Sequence, residues 1–157
     1  MVNKNYDDKK ILKDIFLGSL ELADPAKKLE KMKFDSPSGS LFFVAVGKGA
    51  GRLAKAFFRT YKGKADGIVV IPENEKCDEL DCEVIKATHP IPSQKGLDAS
   101  YKLLKAISKL GKDDLLIFCI SGGASALLPL PPEGYDLEDE IRLNEVLLGS
   151  GLSIKEM

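Results

Sequence analysis

Polar and apolar positions along this chain follow two periods, and each period predicts a different element. In "DDKKILKDIFLGSLELA" (7–23), Ile11, Ile15 and Leu22 recur at roughly helical spacing. Asp24-Pro25 then reads as an N-cap with proline in the first turn of a second short helix, "AKKLEKMKF". "SPSGS" is a loop. "LFFVAV", Leu41 to Val46, has no polar position and predicts a strand buried on both faces, the habit of parallel sheets. The next stretch, "GKGAGRLAKAFFRTY", sets Ala50, Leu53, Ala54, Phe57 and Tyr61 on one helical face. "DGIVVIPE" predicts a second strand ending at Pro72, and "CEVIKATHP" a third ending at Pro90. "SQKGLDASYKLLKAISKLG" predicts a helix with Leu97, Tyr101 and Leu104 on one side, stopped by Gly111. "DDLLIFCI" is a fourth strand, again apolar throughout, and Ala124 to Leu128 form a short helix. "DLEDEIRLNEVLLGSG" is a helix opened by Asp136 with Gly149 near its end, and Ser153 with Glu156 is a capping-box pattern opening another.

Strand–helix alternation predicts an α/β fold: a Rossmann-like three-layer sandwich with a largely parallel sheet and helices on both faces. One link is short for a parallel crossover: about ten polar residues join the second and third strands. Either that connection is unusual or one strand runs antiparallel. Residues 1–40 are expected to form N-terminal helices packing on an α/β domain of residues 41–157. The helix opened at Ser153 has little chain left before Met157, so that domain is expected to be truncated before its natural end.

Composition narrows the class. The 157 residues are 44% hydrophobic and 30% charged, enough for one soluble domain with a core. A formal net charge of -1 offers no bulk attraction to nucleic acid or an anionic membrane. No apolar run is long enough to span a bilayer, and "MVNKNYDDKK" is not a secretory signal. Cys77, Cys82 and Cys119 form neither a CxxC pair nor an even framework, and Cys119 reads as packing within a strand. Cys77, Cys82 and the single histidine make a poor zinc site, so no metal ligand is assigned. A reducing cytoplasm is the expected location.

Ligands of open parallel sheets bind at the carboxyl ends of the strands. Three such ends carry unusual residues here. Gly47-Lys48-Gly49-Ala50-Gly51 joins the first strand to its helix, and is either an anion site or a tight turn with a solvated lysine. It is not a GxxxxGK[ST] loop, and Arg52 replaces the third glycine of GxGxxG. Asp66 falls at the start of the second strand rather than its end, which argues against a dinucleotide. "THPIPSQKG" holds His89 between Thr88 and two prolines, where a structural role competes with a chemical one. Ser121-Gly122-Gly123 follows the fourth strand. With Ser125 it sets two hydroxyls and several N–H groups around a small pocket, unless the glycines merely pack the turn. It is not a GxSxG elbow. An anionic small-molecule cleft is the simplest common reading of the three.

Taken together, "VAVGKGAGRLAKAF", "GIVVIPE", "ATHPIPSQKGLDAS" and the stretch from "DDLLIFCISGGASALLPLPPEGYD" to Met157 resemble the N-terminal part of the class II glycerate kinases. This is the glycerate 2-kinase group, some members of which carry the label hydroxypyruvate reductase. The resemblance implies ATP- and Mg2+-dependent phosphorylation of D-glycerate, commonly at the 2-hydroxyl to give 2-phosphoglycerate. It also implies two α/β domains with the active site between them, hence a second, C-terminal domain missing from this chain; a homodimer stays open. Carried over by motif, Lys48 is the catalytic candidate. Ser121, Gly122, Gly123, Ser125 and His89 are substrate-binding candidates, and Gly47 and Gly49 phosphate-binding ones. The chain departs from the family in two places: Ala124 stands for the third glycine of Ser-Gly-Gly-Gly-Ser, and Gly49 for an alanine after the lysine. No general base or magnesium ligand is assigned. Residues 1–157 alone are expected to be nearly inactive. Two rival readings are an NAD(P)-dependent hydroxypyruvate reductase and a non-catalytic module binding an organic acid or sugar phosphate.

Overall fold

The four apolar runs pair into one parallel sheet. In the computed structural model, which describes residues 7–77, 79–153 and 155–156, they form β1 (Leu41–Val46), β2 (Ala65–Pro72), β3 (Glu83–Ala87) and β4 (Leu115–Ile120). Their order is β3-β2-β1-β4, and every neighbouring pair is parallel. Leu41 lies opposite Ala65 and Leu115, and Val46 opposite Val70 and Ile120. The three longest strands therefore end nearly level.

Side chains alternate across a strand, so β1 feeds two cores. Phe43, Ala45, Val69 and Ile71 pack on Leu53 and Phe57 of α3 (Ala50–Thr60) and on Leu29 of α2 (Pro25–Lys31). Val44, Val46, Ile68 and Val70 pack on Ala99 and Leu103 of α4 (Gln94–Ile107) and Leu127 of α5 (Ala124–Leu127). Helices thus cover both faces, which is the three-layer α/β arrangement expected.

Local signals set several boundaries. Asp24 caps α2, accepting from the Ala26 N–H at 3.0 Å, with Pro25 in the first turn. Asp24 also pairs with Arg52, tying α2 to α3. α6 (Leu137–Gly149) opens with a reciprocal capping box between Asp136 and Asp139. The β2–β3 connection, residues 73–82, contains no helix among its described residues, yet the strands are parallel. The link is the unusual connection, not an antiparallel pair. Two bonds hold its start: the Glu73 N–H donates to Ala87 O, and the Lys86 side-chain Nζ donates to Glu75 O at 3.0 Å.

Other expectations need correction. β3 ends at Ala87 rather than Pro90. α4 ends at Ile107, before Gly111, and buries Gly96, Ala99, Ser100 and Leu103 instead of the side carrying Leu97, Tyr101 and Leu104. Tyr101 and Leu104 are exposed. The small residues win because they let the helix axis approach the sheet. Among the described residues β4 pairs on one side only, and it exposes Leu116, Phe118 and Ile120 on one face. Of the N-terminal helices, α2 enters the core, whereas α1 (Asp8–Ala23) buries no residue. At the other end, Glu156 Oε2 accepts from both the N–H and the hydroxyl of Ser153 in a turn, and the neighbouring Ile154 and Met157 lie outside the described residues.

The entries to β1 and β4 share one carboxylate. Asp114 accepts from the Ser40 N–H at 2.6 Å and the Gly111 N–H at 2.7 Å. These bonds, Gly111's first, hold its carboxyl below the ordinary carboxylate range. A depressed folded value means the contribution is complete above the unfolded value of about 4 and is lost as pH falls through the folded one. Asp114→Asn is therefore expected to lower the melting temperature modestly at pH 7. The gap from the parent chain should narrow as pH falls below about 4, in thermal melts followed by circular dichroism.

Candidate active site

Because β1 and β4 are neighbours and end level, the turns that follow them touch. The Ser121 N–H donates to Val46 O and the Lys48 N–H to Gly122 O, each at 2.9 Å. The Ser121 hydroxyl donates to Val46 O at 3.1 Å and accepts from the Gly49 N–H at 3.0 Å. Gly47 has φ +115°, and a Cβ there would stand 2.3 Å from Ser121 Oγ. Only glycine allows that backbone conformation and that approach together. The Gly47 N–H reaches Val70 O at 3.1 Å, so β2 anchors the same turn.

The His89 loop comes from β3, at the far side of the sheet. Thr88 Oγ1 closes it by donating to Ile91 O at 2.7 Å, and the His89–Pro90 bond is cis. The start of α4 rests on the segment after β4, where Pro129 and Leu127 O pack against the Gly96 backbone. That contact carries the loop across β2 and β1 to the Gly123 turn. Gly123 has φ +89°, and a Cβ there would lie 2.7 Å from His89 Nε2 and 3.5 Å from Lys48 Cε. Lys48 and His89 thus converge on one point beside the Gly123 α carbon.

The local electrostatics are cationic and partly desolvated. Burial, and then the Lys48 charge, pull the His89 imidazole below its ordinary value, which favours the neutral ring at pH 7. Three helices start at this edge, on Gly49, Ser93 and Gly123, and none has a side-chain cap. The other three helices among the described residues start on Asp7, Asp24 and Asp136, each of which accepts a first-turn N–H. Ser93 Oγ is buried with no hydrogen-bond partner among the described residues. Uncapped helix starts leave N–H groups that suit an anion.

The sequence candidates thus fall into two groups. Gly47, Lys48, Gly49, Ser121, Gly122, Gly123 and His89 come together in one constellation. Ser125 sits exposed on α5, one residue into its first turn. What sequence reasoning missed is the backbone part of the site: the carbonyls of Val46 and Gly122, which hold the two turns together. The contrast between aspartate-capped and uncapped helix starts was readable beforehand, from DP at Asp24 and the DLED box at Asp136. Among the described residues there is no group of three or more His, Cys, Asp or Glu suited to a metal ion. Burial, and then Cys77 and Asp81, push the Cys82 thiol up to about 11, which leaves it protonated and a poor ligand. No helix among the described residues is long and apolar enough to cross a membrane.

Comparison with known proteins gives the same family as the motifs. A family model described as a domain of unknown function, DUF4147, matches residues 11–157. The D-glycerate 2-kinase of Thermotoga maritima is 32% identical over 151 residues, covering 95% of this chain and 36% of that protein. A putative hydroxypyruvate reductase of Agrobacterium vitis is 32% identical, covering 95% of this chain and 34% of that protein. The crystal structure of a Thermotoga maritima glycerate kinase superposes with a TM-score of 0.79 at 34% identity, over 94% of this chain and 36% of that one. The chain therefore spans about a third of the length of the curated relatives it matches. It belongs to the DUF4147 family, the N-terminal glycerate kinase family whose members carry the names glycerate 2-kinase and putative hydroxypyruvate reductase.

Proposed function

We propose that this chain forms one wall of the active site of a glycerate kinase, which transfers the terminal phosphoryl group of ATP to a hydroxyl of D-glycerate, giving 2-phosphoglycerate. The observation that carries the reading is the convergence of Lys48 and His89 on the Gly123 turn, beside three uncapped helix starts. Phosphoryl transfer needs little covalent help from the protein; it needs positioning and neutralised charge. Lys48 offsets charge on the transferring phosphoryl group or on the glycerate carboxylate. N–H groups of the Gly122-Gly123 turn hold the carboxylate or a phosphate. Neutral His89 accepts a hydrogen bond from a substrate hydroxyl and orients it. When bound, Mg2+ would neutralise phosphate charge, but the described residues do not form a metal site, so no step is assigned to it. The opposite wall, the adenine site and the metal ligands are assigned to a second domain, and the enzyme to the cytoplasm.

A reductase reading draws support from the name of the Agrobacterium relative. Asp66 counts against it. It pairs with Phe42 near the opposite end of the strands from Lys48, out of reach of a ribose over the Gly47–Gly49 turn. The test assays the complete gene product with D-glycerate, ATP and Mg2+ for ADP release, and separately with hydroxypyruvate and NAD(P)H for nucleotide oxidation. Glycerate-dependent ADP release is expected. Nicotinamide oxidation without ATP turnover would replace the kinase by the reductase, and glycerate binding with neither reaction would leave only a binding module.

A further inference from the structure

We propose that Ser121 is a positioning residue that sets the place of Lys48, rather than a ligand for substrate. The inference rests on the role given to Lys48 above. Its basis is how the Ser121 hydroxyl is used. That hydroxyl has one proton, and the proton goes to Val46 O at 3.1 Å. It accepts from the Gly49 N–H at 3.0 Å. Both partners lie in the Lys48 turn, separated from Ser121 by 75 and 72 residues.

Lys48 is therefore pinned from both sides of its own α carbon. Its N–H is fixed to Gly122 O, and the next N–H is fixed to Ser121 Oγ. The residue before it, Gly47, is the one whose missing side chain makes room for that hydroxyl. The Lys48 side chain is exposed, so packing does little to place it. What places it is the backbone, and the backbone is held by Ser121 and Gly122. Beside the backbone bonds Ser121 N–H to Val46 O and Lys48 N–H to Gly122 O, the hydroxyl is the link that reaches the residue after Lys48, which makes it a sensitive point. Misplacement of a reacting group by about 1 Å can cost about 100-fold in rate.

The experiment is a double-mutant cycle in the complete gene product, with Lys48→Ala, Ser121→Ala and the pair, measured as kcat and KM for D-glycerate. Ser121→Ala is expected to lower kcat by about 10–100-fold, with a smaller change in KM. The double variant is expected to be no slower than Lys48→Ala alone, because the second substitution removes only what acts through the first. Ser121→Cys, which keeps a weaker donor and acceptor, should fall between serine and alanine. Amide hydrogen exchange supplies a readout that needs no turnover: in residues 1–157 carrying Ser121→Ala, the Gly49 amide should lose protection while β1 and β2 keep theirs. Unchanged kcat in Ser121→Ala, penalties that multiply in the double variant, or undiminished Gly49 protection would each overturn the proposal. Wild-type turnover by Lys48→Ala is the separate result that would refute the role given to Lys48 itself.

Discussion

Lys48→Ala is expected to cut kcat of the complete gene product by about 10²–10³, equivalent to about 2.7–4 kcal/mol of transition-state stabilisation. The size follows from what the residue would do. A positioned cation facing developing phosphoryl charge stabilises it without the reorganisation that solvent would need. The kinetic split tells which group it faces. A fall in kcat with KM for glycerate unchanged assigns Lys48 to the transferring phosphoryl group, whereas a rise in KM alone assigns it to the carboxylate. Unchanged kcat/KM would refute both. The same substitution has a second, independent consequence. Lys48 contributes to the depression of the His89 pKa, behind burial. Removing it should move the His89 titration upward but not restore the ordinary value, since burial remains. The sequence contains one histidine, so the imidazole C–H resonances in the proton NMR spectrum of residues 1–157 belong to His89 and report the shift without assignment. A titration that does not move would mean the ammonium and the ring are not neighbours in solution.

How much of this was legible in the sequence depends on the range of the interaction that decides each feature. Short-range chemistry read well. β1 was bounded correctly because "LFFVAV" is uninterrupted and flanked by serine and glycine. Asp24-Pro25 and Asp136 announced their helices because a capping carboxylate must sit within three residues of the N–H it accepts. Features set by distant partners did not read. The α4 pattern offers two plausible faces. The larger residues Leu97, Tyr101 and Leu104 suggested one, but the sheet selects the one with Gly96, Ala99 and Leu103. "LLIFCI" is apolar throughout, yet among the described residues it pairs on one side only. The three candidate turns could be named one by one, yet their convergence depends on strand order. The order β3-β2-β1-β4 puts the Lys48 and Ser121 turns side by side. The packing of α4 over β1 and β2, with Gly96 against Pro129, brings His89 over from the opposite edge. The hydroxyl of Ser121 is the sharpest case. In the sequence it is a free polar group in a candidate pocket; in the fold its proton and one lone pair are already committed to the neighbouring turn.

The largest loss of stability is expected from Phe57→Ala. Phe57 is fully buried at the centre of an aromatic cluster. Its ring stacks on Phe43 of β1 with centroids 4.3 Å apart and planes 10° apart, and on Tyr61 at 5.3 Å. Phe34 and Phe58 meet it edge to face at 5.6 and 5.2 Å. The cluster therefore joins the sheet, α3 and the segment after α2. Truncation to alanine removes the transfer free energy of the ring and leaves a cavity between Phe43 of the sheet, Phe34 after α2 and the flanking rings Phe58 and Tyr61 of α3's own end, which relaxation closes only in part. Such changes cost about 3–5 kcal/mol, a large part of the roughly 5–15 kcal/mol that stabilises a typical domain. For a chain of this size that corresponds to a fall in melting temperature of roughly 6–20 °C. Urea titration should show a lower midpoint with an unchanged slope, since the surface exposed on unfolding is nearly the same. A loss below about 1 kcal/mol would mean the cluster repacks and does not anchor α3. The consequence for the site follows from α3's position. The helix begins at Ala50, two residues after Lys48, and Phe57 holds it to the sheet two turns further on. Well below its melting temperature, the variant should keep most of its turnover, because Ser121, Gly122 and Val70 still fix the Lys48 turn through the backbone. Turnover should then fall with the folded fraction on warming. A loss of kcat at low temperature, with the chain still folded by circular dichroism, would show instead that the turn depends on α3 for its geometry.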